Sequence, residues 1–259
     1  MSFARLVAGT SLQFATVRIL AIETSTQECS VALAYAAGVA QRSRKGAARV
    51  AEQALAMIAE LLAEQSVTLG QVDAFAFGSG PGAFTGLRVG CALVQGLAFA
   101  CDRPVVAVGS LRALAYGACG QARRAGEDAA GVPLRVMAAI DARMGQIYWA
   151  VYEGTRAERL LAVPALAWPK QMAELTAQWR PHVIAGDALR AVDAAWAAPN
   201  GAICLPDARP DASMIAELAR TDLDAGRAVA ARDAVPEYVR DQVALTVAQR
   251  AGLDRSAAS

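Results

Sequence analysis

Apolar residues along the chain fall into short runs and into helical repeats, and this pattern predicts a fold built from both strands and helices. The short runs are rich in Val, Ile, Leu and Phe and are bounded by glycine or polar turn residues, which is typical of buried strands. They lie at 18–23, 29–35, 72–77 and 104–109, with a more polar strand at 39–44. Apolar residues that recur every three or four positions predict helices at 47–65, 84–100, 110–119 and 213–225.

Two strand–turn–strand units in the sequence have the same layout. In the first, a buried strand ends at Glu23 and a hydroxyl-rich turn leads into the returning strand. In the second, strands at 134–141 and 146–152 flank a tight turn, and the first of these strands ends at Asp141. Each unit therefore places a carboxylate at the end of a strand, just before a turn.

A glycine-rich stretch at 78–90 connects one of the buried strands to the helix predicted at 84–100. A glycine turn that opens a helix presents unpaired N–H groups and the positive end of the helix dipole, which suits an anion. Alternatively, Gly86 and Gly90 lie four residues apart on one helix face, and this bare face lets another backbone approach closely. The stretch lacks the Lys-Ser/Thr pair of a Walker A loop, so the sequence leaves both uses open.

Composition limits the classes of protein to which the chain can belong. It has 259 residues, 55% hydrophobic and 19% charged, which is a globular composition with room for one large domain or two ordinary ones. A net charge of +1 gives no overall field that favours nucleic acid or an anionic membrane. Five cysteines without a C-x-x-C pair and a single histidine, His182, offer no zinc pattern and favour a reduced, cytoplasmic setting.

Three motifs and a short ending resemble one protein family. They are 19–26 (ILAIETST), 80–88 (GPGAFTGLR), 139–145 (AIDARMG) followed by Tyr148, and 236–240 (PEYVR). In this order and at these spacings they are similar to the bacterial TsaB family, also called YeaZ, over residues 18–240. The resemblance implies an α/β, two-lobed fold of the actin-like ATPase type, shared with sugar kinases, Hsp70 and ribonuclease H.

The resemblance also implies a function. Members of this family are non-catalytic partners in forming N6-threonylcarbamoyladenosine at position 37 of ANN-decoding tRNAs. A TsaD-type subunit performs the transfer, the TsaB-type chain supports it as a heterodimer, and a TsaE-type small ATPase takes part. From this we expect a homodimer when the chain is alone, only indirect contact with tRNA, no membrane association, and a cytoplasmic location. ATP or ADP with Mg²⁺ at the interface of the complex is the candidate cofactor.

The candidate partner surface lies on the helix that follows the glycine turn. In the family, pairing uses the helices of the first lobe, which correspond to 47–65 and 84–100 here. The candidate interface residues are Gly86, Leu87, Gly90, Leu93, Val94 and Leu97. In this interpretation, Gly90→Leu would abolish the heterodimer and leave the monomer folded.

A second hypothesis treats the chain as an enzyme in its own right. If the two lobes face each other, Glu23 and Asp141 could approach across the cleft and hold Mg²⁺ with a nucleotide, with Thr24 and Ser25 beside them. The chain would then be a nucleotide hydrolase or kinase of the same fold. The structural alternative is that these side chains hold the hairpin turns. The TsaD-type subunit binds its metal through two histidines on a helix, and the helix at 47–65 contains none.

The motifs also predict a division of the chain. Residues 1–17 lack strong patterning and predict a disordered extension. The first lobe is expected at 18–111, with 235–253 as a candidate completion, and the second lobe at 112–234.

Overall fold

Two mixed β-sheets of five strands each organise the chain in the computed structural model. The structure describes residues 17–36, 38–46, 49–124, 133–192, 198 and 201–240. The first sheet contains β1 (Ile19–Glu23), β2 (Glu28–Tyr35), β3 (Gly38–Lys45), β4 (Ala74–Gly80) and β5 (Val105–Gly109), in the order β3-β2-β1-β4-β5. The second contains β6 (Leu134–Arg143), β7 (Gln146–Gly154), β8 (Arg159–Ala167), β9 (Val183–Ala185) and β10 (Ile203–Leu205), in the order β10-β9-β6-β7-β8.

The two sheets are built alike. In the first, β1 pairs antiparallel with β2 and parallel with β4. In the second, β6 pairs antiparallel with β7 and parallel with β9. This confirms the expectation that the two strand–turn–strand units have the same layout. Each forms a hairpin, and the first strand of each hairpin also pairs in parallel with a third strand.

Successive side chains of a strand point to opposite faces of the sheet, and in the first sheet one face carries large side chains and the other mainly small ones. Leu20, Ile22 and the phenylalanines Phe75 and Phe77 point to one face, where they pack with α1 (Val50–Glu64) and α2 (Phe84–Cys101). The opposite face carries mainly small residues such as Ala21, and α5 (Ala212–Asp224) packs against it. Because alanine side chains are short, the helix lies close to the strands on this side.

The second sheet is also covered on both faces. Helix α3 (Ser110–Arg124) packs through Leu111 and Leu114 against the face that carries Val136, Ile140 and Tyr148. The other face buries Met137 and Trp149 near Met172, the first residue of α4 (Met172–Trp179). Helices α3 and α5 contact each other, so they join the two sheets across the middle of the molecule.

The structure differs from the sequence-based elements in several places. Strand β8 has no counterpart among them: its apolar residues form one run, but Pro164 in the middle of this run argues against a strand interior. A 3₁₀ turn at Asp187–Ala191 also has no counterpart among them, and residues 193–197 lie outside the described residues. Helix α5, assigned above to the second lobe, packs on the first sheet instead. The extension at 1–16 and the candidate completion beyond Arg240 also lie outside the described residues.

Helix α2 is the one helix of the described residues that is long and apolar enough to cross a membrane by length and composition. In this fold Leu87, Val94 and Ala98 of α2 are buried. Val94 and Ala98 pack in the same core as Phe75 and Phe77 of the first sheet. The helix therefore takes the place of a core helix.

A buried ion pair fastens α3 to α5 between the sheets. Arg112 Nη1 donates to both carboxylate oxygens of Asp222, at 3.0 and 2.7 Å, and the Asp222 side chain is only 4% exposed. Arg227 adds a third charge-assisted hydrogen bond to the same carboxylate. A buried carboxylate with this many donors holds the two helices in register, and removing it leaves Arg112 without its partner in a partly buried position.

We expect Asp222→Ala to lower the free energy of unfolding by about 3–5 kcal/mol, because it leaves a buried charge unpaired. Urea denaturation followed by circular dichroism measures this. Glu60→Ala is the matched control, since Glu60 pairs with Arg44 on the surface and exposed pairs contribute about 1 kcal/mol or less. Equal losses in the two variants would contradict this account of the helix contact.

Candidate functional site

Glu23 lies at the end of β1 and is completely buried. Its Oε1 accepts a hydrogen bond from the Ser25 backbone N–H at 2.5 Å, and Ser110 Oγ donates to Oε2 at 3.0 Å. Burial raises the pKa of this carboxyl, although the hydrogen bonds from Ser25 and Ser110 act in the opposite direction. Because Ser110 is the first residue of α3, Glu23 connects the first sheet to the helix that leads into the second lobe.

Glycines make the space in which Glu23 and its turn are buried. A Cβ at Gly78 would lie 1.9 Å from Glu23 Oε2, and a Cβ at Gly82 would lie 2.5 Å from the Ser25 carbonyl oxygen. At Gly86 a Cβ would lie 1.9 Å from the Thr24 carbonyl oxygen, and at Gly90 it would lie 2.5 Å from Thr24 Oγ1. None of these distances is compatible with a side chain, so glycine is required along this track.

The bare face of α2 is therefore occupied by the chain itself. Thr24 Oγ1 donates to the Gly86 carbonyl oxygen at 2.8 Å, and the Ala83 N–H donates to the Ser25 carbonyl oxygen at 2.7 Å. The backbone that approaches Gly86 and Gly90 closely is thus the turn after β1 of the same chain. Gly90→Leu would disrupt this contact, so the sequence-based expectation that this variant leaves the monomer folded is not supported by the geometry.

The six candidate interface residues divide into two groups. Gly86, Leu87, Gly90 and Val94 are buried against the rest of the chain. Leu93 and Leu97 are half-buried at the edge of the core. The outward side of α2 instead presents Phe99, which is 80% exposed, and Gly96, whose Cβ position has no atom within 4 Å.

Asp141 lies in a different environment from Glu23. It is exposed near the end of β6, where Oδ1 accepts from the Arg143 N–H at 2.7 Å and Oδ2 pairs with Arg143 Nη1 at 3.3 Å. Its own N–H donates to Asp187 Oδ1 at 2.9 Å. Glu23 and Asp141 thus each have their own partners. Within the described part of the chain, no three His, Cys, Asp or Glu side chains form a group that could hold a metal ion.

A pocket of about 250 Å³ lies between the two lobes. Its walls come from the β1–β2 turn, the start of α2, the β6–β7 hairpin and the segment at 237–240. Asp141 and Ser25 line it, whereas Glu23 does not. The N-terminus of α2 opens toward it with no capping side chain and no acidic residue in the first turn, so this wall is favourable for a negatively charged or hydrogen-bond-accepting group.

The segment 234–240, which we call the strap, crosses from one lobe to the other beside this pocket. Gln95 Nε2 on α2 donates to the Ala234 carbonyl oxygen at 2.9 Å, and the Glu237 N–H donates to the Ser79 carbonyl oxygen at 2.7 Å. At the far end, Arg240 Nη2 donates to Gln146 Oε1 at 2.7 Å. In the sequence, the strap is recognisable only through the 236–240 motif. The signal in the sequence that it lines a site was the pairing of an aromatic residue, Tyr238, with a cationic one, Arg240.

We expect Glu23→Gln to change how stability depends on pH. Because the pKa of Glu23 is raised above its ordinary value of 4.5, the folded chain binds this proton more tightly than the unfolded chain does. Its contribution to stability is fully present below that ordinary value and is lost as the pH rises toward the folded-state pKa. Glutamine stays neutral and can still accept from Ser25, so its stability relative to wild type should increase between about pH 5 and about pH 8.

Urea unfolding at the two pH values tests this, with Glu64→Gln on the exposed side of α1 as the control. A difference between Glu23→Gln and wild type that stays constant with pH would contradict the buried, proton-binding carboxyl.

Comparison with known proteins places this geometry in a family. Residues 44–245 match the family model described as tRNA N6-adenosine threonylcarbamoyltransferase, TsaD. The tRNA threonylcarbamoyladenosine biosynthesis protein TsaB of Escherichia coli K12 is 32% identical over 241 residues, which is 88% of this chain and 96% of that protein. TsaB of Haemophilus influenzae is 43% identical over 133 residues, which is 51% of this chain and 52% of that protein.

A solved structure agrees with these sequence relatives. YeaZ from Pseudomonas aeruginosa is 36% identical, with a TM-score of 0.70, and the match covers 86% of this chain and all of that one. The predicted α/β fold with two mixed sheets is thereby confirmed. With agreement over most of both partners in sequence and in structure, this chain belongs to the TsaB (YeaZ) family.

Proposed function

We propose that this chain is the non-catalytic partner subunit of the complex that forms N6-threonylcarbamoyladenosine in tRNA. The observation that carries this proposal is the near full-length match to the Escherichia coli protein named for threonylcarbamoyladenosine biosynthesis. In this proposal the chain acts by holding a TsaD-type catalytic subunit as a heterodimer, a TsaE-type small ATPase joins the complex, and the chain forms a homodimer when alone. The tRNA is bound chiefly by the TsaD-type subunit, and the complex is cytoplasmic.

The contacts of the described residues favour a non-catalytic role for this chain. Glu23 is buried and engaged with Ser25 and Ser110, so it is not placed to hold a metal in the cleft. His182 Nδ1 accepts a hydrogen bond from the Arg135 N–H at 2.9 Å, which gives this side chain a structural partner. The alternative of a stand-alone nucleotide hydrolase or kinase required two carboxylates that face each other across the cleft, and Glu23 does not serve as one of them.

The outward surface of α1 and α2 supports the choice of contact face. Phe99 is 80% exposed and Leu55 on α1 is 46% exposed, and both are large apolar side chains. The exposed side of α2 carries small residues at four-residue intervals, at Ala92, Gly96 and Ala100. A face with small residues beside an exposed aromatic ring lets a second helix approach closely and bury that ring.

This contact face differs in part from the sequence-based one. Leu93 and Leu97 stay in it as half-buried residues at its edge, whereas Gly86 and Gly90 serve the interior of the chain. We also propose that the first lobe comprises residues 18–109, α5 and the adjoining segment to Ala234, because these pack together on the first sheet. The second lobe then comprises α3 to β10, with the strap linking the two.

Two leucine substitutions on the same helix separate partner binding from folding. We expect Gly96→Leu to leave the chain folded, because the site is open, and to weaken the complex with the TsaD-type subunit by at least about tenfold by blocking close helix approach. We expect Gly90→Leu to lower the stability of the chain itself by about 1–3 kcal/mol or more, because the side chain meets Thr24.

Sedimentation velocity with the TsaD-type subunit measures complex formation, and thermal unfolding of the chain alone measures folding. A Gly96→Leu chain that binds its partner as tightly as wild type would refute the outward face as the contact surface. A Gly90→Leu chain of unchanged stability would show that α2 is not held by the Thr24 contact.

A further inference from the structure

Strand β8 is an edge strand, and its outer side is open in the part of the chain that the structure describes. It pairs with β7 on one side and is the last strand in the order β10-β9-β6-β7-β8. On the other side, no described strand pairs with its backbone N–H and C=O groups. An open edge of nine residues is a template for another strand, so natural proteins usually cover or interrupt such an edge.

Apolar side chains are left uncovered along this edge. Leu160 is 46% exposed and Val163 is 68% exposed. Leu160 pairs with Tyr152, and Leu166 pairs with Tyr148. Both tyrosines belong to the core cluster beneath α3, so both leucines lie on that face of the sheet. A strand that carries apolar residues on the same face would cover them.

The described chain ends beside this edge. Arg240 Nη2 donates to Oε1 of Gln146, the first residue of β7, at 2.7 Å. This end of β7 lies opposite Ala167, the last residue of β8. Val239 packs against the same core cluster as Leu166. The residues that follow Arg240 therefore start where β8 ends and can run back along it in the antiparallel direction.

The sequence just after Arg240 has the pattern of a strand with one apolar face. In the segment 242–248 (QVALTVA), the larger apolar residues Val243, Leu245 and Val247 alternate with small or polar ones. At about 3.3 Å per residue, seven residues span about 23 Å, which is most of the length of β8. The segment is therefore long enough to cover the edge, and only one residue separates it from Arg240.

We propose that residues 242–248 add to β8 as a sixth strand of the second sheet. The strand runs antiparallel to β8, and its three larger apolar side chains lie on the face that carries Leu160 and Leu166. This assigns the segment to the second lobe, whereas the sequence made 235–253 a candidate completion of the first. The inference goes beyond the proposed function, because it concerns the chain alone and requires no partner subunit.

Two observations favour this segment over a strand from another molecule. It is tethered within one residue of its docking place, which gives it an effective concentration on the order of millimolar. Pro164 lies within β8 and has no N–H, so it interrupts the donors along the strand. Such an interruption weakens pairing with untethered strands, while a tethered one can still pair on both sides of it.

Hydrogen–deuterium exchange of the full chain, measured on peptides by mass spectrometry, tests the proposal. We expect slow exchange of the amides in 242–248, because hydrogen-bonded strand amides are protected. When Val243, Leu245 and Val247 are all replaced by Ser, exchange in 242–248 should become at least about tenfold faster, and exchange in 159–167 should also increase. Amides of β9, inside the same sheet, should exchange as in wild type and thereby show that this variant is folded.

Two further variants separate the strand contact from other effects. Replacing Ala244 and Ala248 by Ser changes the same segment on its other face, and we expect exchange in 242–248 like that of wild type. Leu160→Ser changes only β8 and should accelerate exchange in 242–248, because it removes an apolar contact across the new pairing.

Three results would overturn the proposal. The first is exchange of 242–248 in the wild-type chain as fast as in an unfolded peptide. The second is equal exchange of 159–167 in the wild-type chain and in the triple Ser variant. The third is protection of 159–167 that rises with the concentration of the chain, which would identify a second copy as the occupant of the edge.

Discussion

The close contact between the glycine track of α2 and the turn after β1 is the constraint on which the rest of the structure depends. Thr24 and Ser25 lie where side chains at Gly82, Gly86 and Gly90 would otherwise be, so the turn is pressed onto the helix. This contact fixes the rotation of α2 about its own axis. The rotation then determines that Leu87 and Val94 face the core while Phe99 faces outward.

Burial of Glu23 follows from the same contact. Closing the turn over the strand end removes the carboxyl from water, and hydrogen bonds from Ser25, Ser110 and the Thr24 backbone offset part of the cost. Since Ser110 begins the helix that enters the second lobe, this one side chain ties the first sheet, its turn and the lobe junction together. The position of Glu23 in the sequence suggested a metal ligand, but in the structure its carboxyl instead links parts of the chain to one another.

Much of the fold could be predicted from the sequence, because its strands are strongly apolar and its two hairpins repeat the same layout. The location of α5 could not, since an amphipathic helix fits either sheet and only the alanine-rich face formed by residues such as Ala21 and Ala76 selects the first. The candidate site was harder to predict. Gly90 looks the same in sequence whether it faces a second chain or Thr24, and Tyr238 reaches the pocket only because the strap folds back across 150 residues to Arg88.

The strap makes the two lobes mechanically dependent on each other. Ala234 and Tyr238 of the strap are held to α2 through Gln95 and Arg88, and its last residue, Arg240, is held to Gln146 of the second hairpin. A displacement of α2 would therefore pull on the strap, which is also held to β4 through Glu237, and through it on the second hairpin. A protein that grips the outer helix would in this way also adjust the width of the gap between the lobes.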